Sequence, residues 1–74
     1  MLTAADKATL KQLGAAIKAR RIERGLTQPQ LSVAMECSIG LVGRLEAGKG
    51  GRLDLIVQVL RHLKMEMSLR ASET

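Results

Sequence analysis

The sequence contains no Phe, Tyr or Trp, so any core must be assembled from Leu, Ile, Val, Ala and Met alone. Its one cysteine, Cys37, forbids an internal disulfide and fits a reducing cytosol. Its one histidine, His62, has no Cys or carboxylate cluster around it in sequence. No metal site and no cofactor are therefore expected. No apolar run approaches the roughly 18 to 20 residues that a membrane span requires, and no signal peptide is visible. No nucleophile is paired with a base and no glycine-rich phosphate loop occurs, so an enzyme is not expected. At 74 residues there is room for one domain of marginal stability. With neither disulfide nor metal to staple it, oligomerisation is the remaining common support. What the chain does have is cations: 12 Lys and Arg against 7 Asp and Glu, a net charge of +5 that favours a polyanionic partner.

The segment from Thr27 to Lys49 organises the rest. Thr27 with Gln30 three residues later makes a capping box, and Pro29 sits in the first turn, where its missing amide costs nothing. Leu31, Ala34 and Met35 follow at helical spacing. Ser38 is a second N-cap candidate, opening a helix in which Leu41 or Val42 and then Leu45 face inward. Two helices over 27–35 and 38–47 with so short a connection must cross steeply. A steep crossing of this kind is a helix-turn-helix, whose second helix enters the DNA major groove.

Around this centre, Lys7 to Arg24 reads as one amphipathic helix. Leu10, Leu13, Ile17 and Ile22 are its apolar residues, and Lys11, Lys18, Arg20, Arg21 and Arg24 its basic outer face. Thr3 and Asp6 are both available to cap it, and Gly25 supplies a left-handed C-terminal stop. Residues 53–63 form a last helix, with Leu53, Ile56, Leu60 and Leu63 as one stripe and Leu55, Val57 and Val59 as a flank. Met65 to Arg70 alternates with period two, the pattern of a half-buried strand. No second strand exists to pair with it, so its natural partner is the same strand of a second subunit. The expected fold is thus all-α: one helix-turn-helix domain, residues 1–74, of four to five helices with a short dimerisation strand over 65–70.

Residues Ile17 to Gln28 (IKARRIERGLTQ), Gln30 to Ala34 (QLSVA) and Arg44 to Lys49 (RLEAGK) resemble the Cro/CI-type, or XRE, family of helix-turn-helix domains. With the last helix passing into a period-two strand, the chain is similar to HipB-type antitoxins, small dimeric repressors. The resemblance implies an ion pair between Arg21 on the first helix and Glu46 at the end of the recognition helix. It also implies a left-handed turn residue where this chain carries Glu36 instead of the usual Gly, with Cys37 in the small apolar turn position.

The DNA-facing candidates are Ser38, Ile39, Gly40, Gly43 and Arg44 on the recognition helix. Only Arg44 among them has the bidentate donors that read a base edge. Gln28 at a helix start, Lys49 and Arg52 in and beside the glycine-rich loop over 47–51, and Lys18 and Arg20 on the first helix are candidates for phosphate contact. Leu55, Val59, Met65, Met67 and Leu69 are the expected dimer interface. The expected function is a dimeric, sequence-specific repressor of a palindromic double-stranded operator. The resemblance makes it the antitoxin of a HipBA-like operon, binding a HipA-like kinase toxin in the bacterial cytoplasm. The competing expectations are a protein-interaction module with DNA binding secondary, and a stand-alone phage-type repressor.

Overall fold

A computed structural model describes residues 1–71, and within them four helices and no strand. They are α1 (Ala4–Glu23), α2 (Gln28–Ala34), α3 (Ile39–Glu46) and α4 (Leu53–His62). Each start is chemically marked. Thr3 caps α1 in a capping box with Asp6, so the helix begins three residues before the expected Lys7. Thr27 and Gln30 form a second box on α2, with both reciprocal hydrogen bonds present at 3.2 and 2.9 Å. The Ser38 hydroxyl accepts from the Leu41 amide at the start of α3. Only α4 lacks a side-chain cap; Asp54 in its first turn favours the positive end of the helix dipole.

All four helices end in the same way. The amide of the residue after the cap donates to the carbonyl three positions back, and the next amide donates to the carbonyl five back. This is the double-bonded Schellman stop. The pairs are Gly25 to Ile22 with Leu26 to Arg21, and Glu36 to Val33 with Cys37 to Ser32. At the ends of α3 and α4 they are Gly48 to Leu45 with Lys49 to Arg44, and Lys64 to Arg61 with Met65 to Leu60. Such a stop needs one residue with positive φ. Glycine supplies it at Gly25 and Gly48, whereas Glu36 and Lys64 adopt it at φ 55° and 54°. The residues that follow the stops, Leu26, Cys37 and Met65, pack against the core, which is the apolar contact that usually accompanies the motif.

The core consists of Ile17 from α1, Leu31 and Met35 around α2, Val42 and Leu45 from α3, and Leu55, Val59 and the C-cap Leu63 of α4. Several expectations change here. Ile22 is exposed, and Arg21 is turned inward, not outward. Ala34 is exposed; the small residue α2 buries is Ser32, whose hydroxyl donates to the Pro29 carbonyl at 2.7 Å. Leu41 stays on the surface and Val42 goes in.

The rotation of α4 differs most. The expected flank is the core stripe: Leu55 is 7% exposed and Val59 is fully buried, at i, i+4 and, with Leu63, i+8. Leu53 and Val57, 77% and 59% exposed, face outward. A helix with apolar residues on two sides has two possible stripes. The buried stripe is the one that packs with the core residues of α1, α2 and α3, and Arg20 Nε ties the end of α4 to α1 by donating to the Leu63 carbonyl at 2.9 Å.

Residues 65–70 carry no strand in the single chain, and residues 72–74 of the expected domain lie outside the described residues. Met65 cannot open a strand, because its amide is already bonded to Leu60 at 2.8 Å. Its side chain belongs to the core of its own chain. Any cross-subunit pairing starts after it.

Candidate nucleic-acid interface

The crossing of α2 and α3 is held by one buried polar cluster. Arg21 Nε and Nη2 donate to the two oxygens of Glu46 at 2.7 and 3.0 Å, a bidentate fork. Arg21 Nη1 donates to the Leu26 carbonyl at 2.7 Å, which no pattern in the sequence announces. Gln28 Nε2 donates to Glu46 at 3.1 Å. The Glu46 carboxylate at the end of α3 therefore ties α1 to the first residue of α2, and Arg21 extends the tie to the α1–α2 turn. The hydrogen bond from Arg21 to Glu46 raises the guanidinium pKa, burial works against it, and the Glu46 charge adds to the rise. Among the described residues no buried side-chain polar atom lacks a partner.

Gly14 lets α1 lie this close. A Cβ there would meet the backbone carbonyls of Leu45 and Glu46, the latter at 2.7 Å. Any larger residue pushes α3 away from Arg21.

One N–H of the Gln28 carboxamide goes to Glu46, which leaves the second for a phosphate, and its carbonyl oxygen turns toward α3, 3.8 Å from where a Gly43 side chain would begin. On α3, Val42, Leu45 and Glu46 face inward. Helical spacing then puts Gly40, Gly43 and Arg44 on the outward side, with Ile39 half-exposed beside the exposed cap Ser38. The outer face of α3 is thus mostly glycine backbone with one cation and the apolar Ile39 at its start, which permits close approach to the floor of a groove.

The remaining candidates do not share one surface. Lys18 is exposed on α1. Arg20 is engaged within the chain: besides the Leu63 carbonyl it pairs with Glu23 at 3.0 Å, so it braces α1 against α4. Lys49 and Arg52, close in sequence, line different grooves. Arg52 pairs with Asp54 at 3.0 Å and borders a groove of about 460 Å³ that also contains Glu36, a poor setting for phosphate. Lys49 stands near Arg44. Two lysines that the sequence presented only as part of a basic helix, Lys7 and Lys11, join them there; their signal was the i, i+4 spacing.

Of the expected dimer residues, Leu55 and Val59 are spent in the core, Met65 is packed against it, and Met67 and Leu69 are exposed. Among the described residues no group of three or more His, Cys, Asp or Glu is arranged to hold a metal ion. No helix among them is long and apolar enough to cross a membrane.

A short capped helix, a left-handed turn, and a second helix braced from behind with a bare outer face define a helix-turn-helix DNA-binding domain, whose partner is DNA. The chain matches the family described as "Helix-turn-helix domain" over residues 12–72, and it belongs to that family. Neither the curated proteins nor the solved structures contain a match to it.

Proposed function

We propose that this protein is a dimeric, sequence-specific transcriptional repressor of the Cro/CI (XRE) type, with no catalytic role. The observation that carries the reading is the Arg21–Glu46–Gln28 cluster, which aims the start of α2 and the outer face of α3 at one surface. Phosphate contact at Gln28 and Lys49 fixes register on the duplex, and Arg44 reads a base pair.

Dimerisation follows from the apolar surface that a single chain leaves uncovered. Leu53 and Val57 on α4 are exposed, and so are Met67 and Leu69 (86%) beyond it. A twofold axis presents each patch to its own copy. Residues 66–70 pair as an antiparallel ribbon across that axis, and the two α3 helices stand about one DNA turn apart, as a palindromic operator requires. The resemblance to HipB-type antitoxins supports a second role in the same bacterial cytoplasm: neutralising a kinase-type toxin encoded beside it while repressing the shared promoter.

A different reading is favoured by one observation, the scarcity of polar groups on α3, whose exposed residues include Ile39 and Leu41. In that reading the chain is mainly a protein-interaction module and a bound partner supplies the DNA affinity. A gel shift with the DNA upstream of its own gene, with and without the neighbouring gene's product, separates the two. Specific retardation by the protein alone supports the repressor; retardation only with the partner present supports the module.

A further inference from the structure

A groove of about 370 Å³ lies between the first turns of α1 and the end of α3. Lys7, Lys11, Arg44 and Lys49 line it over a floor that includes Leu10 and Ala47, and no carboxylate does. The nearest acid in sequence, Asp6, accepts from the Thr3 amide at 2.8 Å in the cap of α1. Among the described residues none of the four cations has a carboxylate within ion-pair distance.

The convergence is built by backbone packing. Gly48, at φ +78°, rests directly on α1: a Cβ there would stand 2.7 Å from Lys11 Cα and 2.8 Å from Lys11 Cγ. The stop of α3 bonds the Lys49 amide to the Arg44 carbonyl at 2.9 Å, which sets Lys49 directly beyond that contact. Lys7 lies one turn before Lys11 on the same face of α1. Gathering four like charges without an internal counter-ion is unfavourable in the free protein, and the repulsion is relieved when an anion enters.

We propose that this groove is a second phosphate-backbone site, in which Lys7 and Lys11 hold the DNA strand that runs past Arg44. The inference rests on the DNA-binding reading and extends it to a part of α1 outside the helix-turn-helix. Arg44 connects the two, since it stands on the outer side of α3 and at the groove wall alike. Three lysines, 7, 11 and 18, share one stripe of α1 spanning roughly 16 Å at about 1.5 Å per residue, enough to follow several phosphates of one strand.

The test is the salt dependence of duplex binding for the full chain, comparing wild type with Lys7→Gln/Lys11→Gln. A control with the same loss of charge, Arg61→Gln/Lys64→Gln, lies at the far end of α4. The expected result is a log–log salt slope shallower by about 1.8 for the groove variant and little changed for the control. Between 50 and 200 mM salt the wild type then loses roughly twelvefold more affinity than the groove variant. A slope that falls equally in both variants, or in neither, overturns the groove as a site while leaving DNA binding standing. A folded wild type that binds no duplex at low salt overturns the DNA-binding reading beneath it. Amine acetylation gives a second readout: duplex protects Lys7 and Lys11 if the groove is filled, and equal modification with and without duplex counts against it.

Discussion

Replacing Glu46 with leucine removes the acceptor of two Arg21 hydrogen bonds and one from Gln28, and leaves a guanidinium in a site built for a pair. The Arg21 and Glu46 side chains are only 10% and 2% exposed, so water does not replace the lost contacts. Breaking a buried pair from one side costs about 3 to 5 kcal/mol, mostly the penalty of the stranded charge. For a domain of this size each kcal/mol moves the melting temperature by roughly 4 to 8 °C, so a fall of about 12 °C or more is expected. The matched control is Glu23→Ala, which breaks the exposed pair to Arg20 and should cost no more than about 1 kcal/mol. The double variant Arg21→Met/Glu46→Leu should recover most of the loss, because two apolar side chains replace two charges. Thermal and urea unfolding followed by circular dichroism measure all four proteins. The sign of the pH dependence is also fixed for Arg21. Its folded pKa lies above its unfolded one, so its contribution is complete below the unfolded value and is lost only in strongly alkaline solution. A Glu46→Leu loss no larger than the Glu23→Ala loss would refute the claim that this cluster braces the crossing.

Glycine substitutions give a second set of outcomes. Gly25→Ala and Gly48→Ala both put a side chain at positive φ, but a Cβ at Gly25 meets nothing within 4 Å while one at Gly48 meets the α1 backbone. Gly25→Ala should therefore cost about 1 kcal/mol and Gly48→Ala clearly more, as read by urea unfolding. Glu36→Gly should stabilise by about 0.5 to 1 kcal/mol, since it relieves a left-handed glutamate at a turn that closes α2. Arg44→Ala should relax preference at one base pair by about 1 to 3 kcal/mol, whereas Lys49→Ala should weaken all sequences alike and lower the salt slope by about one. Truncation after Glu66 keeps Met65 in its core contact, and by sedimentation it should yield a folded monomer; a dimer there would remove the tail from the interface.

What the sequence disclosed depended on how local the chemistry is. Thr27, Gln30 and Ser38 cap helices through bonds spanning three residues, so their spacing alone marks two helix starts. The bidentate partnership of Arg21 and Glu46 spans 25 residues and was expected only through resemblance to a family. The rotation of α4 was not legible, because Leu53, Leu55, Val57 and Val59 are equally apolar and which of them is buried depends on the core residues of the other helices. With it went the identity of the apolar residues that α4 leaves exposed, which are Leu53 and Val57 and not Leu55 and Val59. The groove at Lys7 and Lys11 was hidden for the same reason: it exists because Gly48 and Gly14 admit backbone where other residues would place a side chain.

The central claim is that DNA meets the start of α2, the outer face of α3 and the loop beyond it. Backbone amide chemical shifts of the folded protein, followed during titration with a short duplex at low salt, test it without knowledge of the operator. The account predicts shifts concentrated at Gln28, Ile39 to Arg44 and Ala47 to Lys49, with Lys7 and Lys11 following, and α4 from Val57 onward unmoved. Shifts centred on α4 and residues 66–70, with α3 silent, would contradict it.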